Sequence, residues 1–116
     1  MANNIAFQPM GKTVKVAVNG AANTQSNVYT ITSDSPVNQY FISNADVNNA
    51  VYVWINPTNN FNVALPDNGA VYVIPLPPYS YKVFTGPQVN STTSVYARVI
   101  GDAANASVYI TPGEGL

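Results

Sequence analysis

The sequence predicts an all-β protein: a single-domain antiparallel β-sandwich of the jelly-roll or Greek-key kind, with about eight to nine short strands and an extended N-terminal arm. β-Branched and aromatic residues recur at alternate positions through most of the chain, as expected for strands with one buried face. Gly, Pro, Asn and Asp separate these segments at intervals of about 8 to 12 residues. The 116 residues are enough for one hydrophobic core and too few for two.

The predicted elements follow from this alternation in chain order. Turns are expected where a residue that favours positive φ, or a proline with fixed φ, interrupts the pattern, namely at residues 19–20, 34–36, 56–59, 67–69, 86–87 and 101–102. The N-terminal arm is assigned to residues 1–11, the sandwich domain to 12–111 and a C-terminal tail to 112–116. The predicted strands are residues 13–18, 28–32, 37–43, 50–56, 61–65, 70–74, 80–85, 94–100 and 106–111.

A period of two places residues i and i+2 on the same face of a strand. The alternation in each strand therefore predicts one row of side chains that faces the core. These rows are predicted to face inward and to form one core between two sheets. The rows are Val14, Val16 and Val18; Tyr29 and Ile31; Tyr40 and Ile42; Val71 and Val73; Val95, Ala97 and Val99; and Val108 and Ile110.

Residues 50–55 depart from the alternation because both faces of this strand are apolar. A sandwich strand normally shows one polar face to water, so the segment is either covered on both sides or in contact with another subunit. We prefer the subunit contact, with a tryptophan in an ordinary core as the alternative. The predicted interface residues are Val51, Tyr52, Val53, Trp54 and Ile55, together with Ile5 and Phe7 of the arm.

The stretch from Ile74 to Tyr79 contains three prolines and is predicted not to be an interior strand, because proline removes a ladder donor. A rigid connector is expected, and a Pro-rich ligand for an aromatic groove is the alternative. Tyr79 and Tyr81 follow this connector and are placed to face a ligand. Tyrosines beside amide side chains make sugar-binding surfaces, so carbohydrate binding competes with an assembly role.

The composition argues against enzymatic chemistry. There is no histidine or cysteine, and only five carboxylates are available. Residues 44–48 alternate oxygen ligands as calcium loops do, but the glycine and the terminal glutamate of such a loop are missing. We therefore expect no catalytic residue, no cofactor and no metal site. The carboxylates are expected to serve in turns: Asp34, Asp46, Asp67 and Asp102, with Glu114 in the tail.

Charge and hydropathy restrict the partners. The four basic residues are scattered, which does not favour nucleic-acid binding, and no window approaches the about 18 apolar residues of a membrane span. The first ten residues lack the pattern of a secretory signal, so synthesis in a cytosol is expected. A net charge of −1 gives little repulsion between copies, which favours a homo-oligomer.

Several segments resemble small β-rich proteins encoded among the structural genes of tailed bacteriophages and prophages. They are residues 1–11, 39–44, 64–69 leading into 74–77, and 108–115. The resemblance implies a virion component, above all a capsid decoration or cement protein that binds the major capsid protein on the head exterior as a symmetric oligomer, with a trimer expected. A neck or tail component is the alternative. The resemblance carries no catalytic residues.

Overall fold

The computed structural model describes residues 7–18, 24–65, 72–101 and 106–115. Within these ranges the chain forms β-strands and no helix, which confirms the predicted all-β class. The strands are β1 (Gln8–Pro9), β2 (Val14–Ala17), β3 (Tyr29–Ile31), β4 (Val37–Asn44), β5 (Val51–Asn56), β6 (Ile74–Leu76), β7 (Ser80–Val89), β8 (Val95–Gly101) and β9 (Ser107–Glu114).

The strands form two antiparallel sheets. In the first sheet β4 lies between β7 and β9, and the outer edge of β9 is shared by β1 and β2. The second sheet has the order β3-β8-β5-β6. The pairings β5–β6, β4–β7, β3–β8 and β2–β9 are nested about the middle of the chain, as in a long hairpin rolled into two layers. This arrangement is a jelly roll, one of the two predicted sandwich types.

The core lies between the inner faces of the two sheets, where the alternating rows meet. Val14, Tyr29 and Val73 are half-buried, and Val71 lies outside the described residues. All other members of the predicted rows are buried. The largest fully buried side chains are Tyr40, Ile31, Ile42, Leu76, Ile110, Val16, Val51, Val53, Val89, Val95, Val99 and Val108.

The strand β7 is longer than predicted and continues through Gly86 and Pro87, where a turn was expected. Its register with β4 shifts between Val37 and Gln39, which places a β-bulge at this point. A bulge tolerates proline because the bulged residue does not need to donate to the ladder. The buried Tyr40 hydroxyl donates a hydrogen bond to the Pro87 carbonyl, which fixes the bulge to the core.

Residues 61–65 do not form the predicted strand. The backbone there is held by side chains rather than by a neighbouring strand: the Val63 N–H donates to Gln25 Oε1 at 2.9 Å, and the Phe61 carbonyl accepts from Arg98 Nη1 at 2.6 Å. Val63 is buried, so the apolar residues of segment 61–65 belong to a loop that packs against the domain.

The proline stretch begins with an edge strand, since β6 pairs with β5 and with no other strand of the described residues. Pro75 lies opposite Tyr52. Proline has no backbone N–H to donate to a second neighbour, and an edge strand tolerates this because it has a partner on one side only. The prediction that this stretch is not an interior strand is confirmed. Of the predicted strand 70–74, residues 70 and 71 lie outside the described residues, 72 and 73 are not in a strand, and Ile74 begins β6.

Both ends of the described chain belong to the first sheet. The strand β9 continues to Glu114, past the predicted start of the tail, because β1 pairs Gln8 with Glu114 and Pro9 with Gly113. Met10 also donates from its N–H to the Pro112 carbonyl at 2.9 Å. Ile5 lies outside the described residues.

Candidate functional site

The predicted interface strand β5 divides between the two faces of its sheet. Val51, Val53 and Ile55 point into the core and are buried within the chain, so they cannot contact a partner. Tyr52 and Trp54 lie on the outer face and are half-buried. The pattern that is apolar on both faces therefore combines one core row with one outer aromatic row.

The outer aromatic row of β5 is extended by a residue that the sequence analysis did not select. The rings of Trp54 and Tyr72 stack with their centroids 5.6 Å apart and their planes at 26°. Tyr72 is 77% exposed, although its neighbour in the stack is half-buried. We refer to Tyr52, Trp54 and Tyr72 as the Trp54 patch.

Next to the Trp54 patch, the outer face of β8 is covered by two loops, one containing Ser26 and the other Phe61. Arg98 holds both of them, because Nε donates to the Ser26 carbonyl and Nη1 to the Phe61 carbonyl, each at 2.6 Å. These are charge-assisted hydrogen bonds, and they direct the guanidinium towards the chain itself. Ile100, on the same strand face, is buried.

The outer face of the first sheet carries a second aromatic surface. The ring of Phe41 lies 5.8 Å from that of Phe7 and 5.6 Å from that of Tyr81, with the latter pair stacked at 24°. We call these three rings the aromatic row. Phe7 lies directly over Gly113, where any Cβ would overlap its ring. Phe7 was expected to reach a neighbouring subunit from a free arm, but it packs on its own chain.

Two grooves flank the aromatic row. One, of about 340 Å³, is lined by Phe7, Pro9, Phe41 and Thr111. The other, of about 240 Å³, is lined by Ser43, Asn44, Ala45, Tyr79, Ser80 and Tyr81, and we call it the Tyr81 groove. It brings together both tyrosines that the sequence placed towards a ligand, and they are 76% (Tyr79) and 67% (Tyr81) exposed.

Tyr79 has an unusual backbone conformation, with φ of 57°. Pro78 before it and the positive φ at Tyr79 match the central positions of a type II turn. A non-glycine residue in this region costs roughly 1–2 kcal/mol. The turn is fixed by the Tyr79 N–H, which donates to the Asp46 carbonyl at 2.7 Å, and by the Ser80 hydroxyl, which donates to the Pro77 carbonyl at 2.7 Å.

The segment with calcium-like spacing serves the fold instead. Asn44 is buried, and its Oδ1 accepts the Asp46 N–H at 3.1 Å. Asp46 Oδ1 accepts the N–H groups of Asn48 and Asn49 at 2.8 and 3.1 Å. The hydrogen bond from the Asn48 backbone, followed by that from the Asn49 side chain, lowers the pKa of Asp46. In the part of the chain that the structure describes, no three His, Cys, Asp or Glu side chains are grouped to hold a metal ion.

Comparison with known proteins gives no relative: no family model matches the chain, and neither a curated protein nor a solved structure matches it significantly. Among the described residues there is also no helix of the length and hydropathy needed to cross a membrane.

Proposed function

We propose that this protein is a non-enzymatic structural component of a tailed-phage virion, a decoration protein that binds the major capsid protein on the head exterior and associates with its own copies. The observation that carries the proposal is the exposed stack of Tyr72 on Trp54. The Trp54 patch serves as the surface that contacts the capsid protein and other copies of the chain. A trimer is the expected oligomer.

The chemistry of the patch supports a protein contact. Aromatic residues are enriched in interfaces, and charged residues are depleted from interface cores. An exposed Tyr ring stacked on Trp presents a large apolar area, which gains about 25 cal/mol per Å² when a partner covers it. Arg98 donates from Nε and Nη1 to the chain's own carbonyls, so these two groups are directed into the loops rather than to a partner.

Composition and fold support the same proposal. Only nine of 116 residues are charged, and the absence of histidine and cysteine removes the commonest catalytic groups. Jelly rolls occur in viral capsid proteins and in lectins, a likeness of fold that is an analogy and identifies no function by itself.

The test uses Tyr72→Ala, because an exposed side chain can be removed without opening the core. Heads of the encoding phage that lack the protein are mixed with the parent or the variant, and binding is measured by cosedimentation. We expect the variant to bind more weakly by about 2 kcal/mol, as for an interface anchor. Light scattering should show the parent as an oligomer and Tyr72→Ala shifted towards monomer.

The matched control is Tyr81→Ala, which removes a similarly exposed ring from the opposite sheet and should bind heads like the parent. Unchanged binding by Tyr72→Ala would contradict the assigned surface, and a parent that stays at 12.4 kDa over a wide concentration range would contradict self-association. Immunogold labelling of intact particles decides the location. Label at the neck or tail would replace the decoration role by the alternative virion position.

A further inference from the structure

We propose that the Tyr81 groove and the adjoining outer face of the first sheet bind an extended, uncharged glycan. This site lies on the sheet opposite the Trp54 patch, so it does not depend on the proposed virion role.

Hydrogen-bonding groups in the groove are open to a ligand. Within the described chain, the hydroxyls of Ser43, Tyr79 and Tyr81 make no hydrogen bond to another protein group. Sugar hydroxyls can pair with such groups, while the C–H face of a sugar ring packs on an aromatic ring. A protein interface that buried these three hydroxyls without partners would lose free energy for each one.

The rings are arranged along a line across three strands. Tyr81 on β7 pairs with Ser43 on β4, and Ser43 pairs in turn with Tyr109 on β9, so all three share one face. Tyr109 is 41% exposed. Since adjacent strands lie about 4.8 Å apart, the two tyrosines are separated by about 10 Å with a hydroxyl between them. This alternation of ring, hydroxyl and ring suits an elongated chain of sugars better than a single sugar.

The side chains that line the groove favour an uncharged ligand. The described residues that line the groove carry hydroxyl, amide, methyl and phenol groups and no carboxylate, ammonium or guanidinium group. The neighbouring Asp46 carboxylate accepts the N–H groups of Asn48 and Asn49 in its own loop. Lys15 lies beyond Tyr109, with its Nζ 5.9 Å from the centre of that ring, and is therefore at the end of the line rather than in the groove. Lys82 neighbours Tyr81 in sequence but projects from the other face of β7.

The backbone of Tyr79 is an independent observation that points to the same place. Its φ of 57° is a conformation that glycine or asparagine adopts at lower cost. The side chain adds little to the core because it is highly exposed. A strained residue that contributes little to packing and borders a groove indicates a functional role for its side chain.

The experiment titrates the full chain with cellohexaose, maltohexaose and chitohexaose by isothermal calorimetry, with hexagalacturonate as the charged probe. We expect saturable binding of at least one neutral hexasaccharide and weaker binding of hexagalacturonate. Amide NMR shifts should be concentrated at Ser43, Tyr81 and Tyr109.

Tyr81→Ala and Tyr79→Gly should each reduce the affinity roughly three- to tenfold, the range expected for loss of one stacking contact. Tyr79→Gly should at the same time raise the melting temperature, which separates ligand binding from stability. Tyr72→Ala is the matched control and should bind the hexasaccharide like the parent.

Failure of all three neutral hexasaccharides to bind saturably would overturn the proposal. So would equal binding by the parent, Tyr81→Ala and Tyr79→Gly, or an equal loss with Tyr72→Ala. If Tyr81→Ala dissociates the oligomer and no hexasaccharide binds, the face is a protein interface. The head-binding experiment with Tyr72→Ala gives its result separately, so either proposal can fail alone.

Discussion

Asn44 connects the two sheets of the sandwich: its side-chain Nδ2, at the end of β4, donates a 3.1 Å hydrogen bond to the Leu76 carbonyl on β6. The same Nδ2 also lies within hydrogen-bond distance of the Asn49 carbonyl, at 3.1 Å. Because Oδ1 accepts the Asp46 N–H, one buried amide fixes a strand end, the following loop and the opposite sheet. This end of the jelly roll is closed by polar contacts beside the apolar core.

The first prediction concerns this amide. Asn44→Ala should lower the free energy of unfolding by about 2–4 kcal/mol, because it leaves the buried Leu76 carbonyl and several partly buried backbone groups without this partner. Urea denaturation monitored by circular dichroism measures the loss. Asn48→Ala is the control in the same loop, since the Asn48 side chain is exposed and only its backbone N–H bonds to Asp46. Equal effects of the two substitutions would show that the Asn44 bonds do not stabilise the fold.

A second prediction concerns metal ions. Chelator should leave the melting temperature unchanged, and millimolar calcium should not raise it. The reason is that the oxygen and nitrogen atoms of Asn44 are already engaged, and Asp46 is the only carboxylate in residues 44–48. Differential scanning calorimetry makes the measurement. A calcium-dependent rise of several degrees that Asp46→Asn abolishes would refute it.

A third prediction concerns alkaline pH. Burial raises the pKa of Tyr40 from 10.0 to about 12. The unfolded chain loses the Tyr40 hydroxyl proton at a lower pH than the folded chain. The contribution of protonated Tyr40 to the free energy of unfolding is therefore complete below pH 10 and is lost as the pH rises towards about 12. Urea denaturation at successive pH values should show the free energy of unfolding falling through this window.

Tyr40→Phe is the matched variant for the alkaline test, because it keeps the ring and removes the titrating group. It should be less stable at pH 7 by about 1–2 kcal/mol, since the Pro87 carbonyl loses its hydrogen bond. Its stability should fall less steeply than that of the parent above pH 10. Parallel curves for the two proteins would mean that Tyr40 does not cause the alkaline loss.

The sequence predicts the core rows well because alternation is local: Val95, Ala97 and Val99 are assigned by their spacing, and all three are buried. It does not predict the continuation of β7, because Gly86 and Pro87 suit a turn and a bulge equally, and the partner strand decides between them. Residues 61–65 are apolar enough for a strand, but the Arg98 and Gln25 side chains take their backbone groups.

The candidate surfaces show the same limit. Tyr79 and Tyr81 are near in sequence, so their common groove could be anticipated from the strand that follows the prolines. Tyr72 could not, because nothing in its own segment indicates that it stacks on Trp54. Similarly, the position of Phe7 depends on the space above Gly113, which only the register of β1 against β9 reveals.

The fourth prediction concerns Arg98, which holds two loops against the second sheet. Arg98→Lys keeps the charge but replaces the planar fork by a single ammonium, which cannot reproduce both 2.6 Å hydrogen bonds, to Ser26 and to Phe61. We expect a loss of about 1.5–3 kcal/mol in the free energy of unfolding. Hydrogen exchange should accelerate at the Val63 N–H, because the loop that carries it is released.

Lys12→Met is the control for this experiment, since Lys12 is exposed and its substitution also alters a basic side chain. It should leave both stability and exchange at Val63 unchanged. If Arg98→Lys destabilises the protein while exchange at Val63 stays slow, the loop is held by its own contacts. The Val63 bond to Gln25 Oε1 and the bond from Gln25 Nε2 to Asn62 Oδ1 would then be sufficient, and Gln25→Ala would have to release the loop instead.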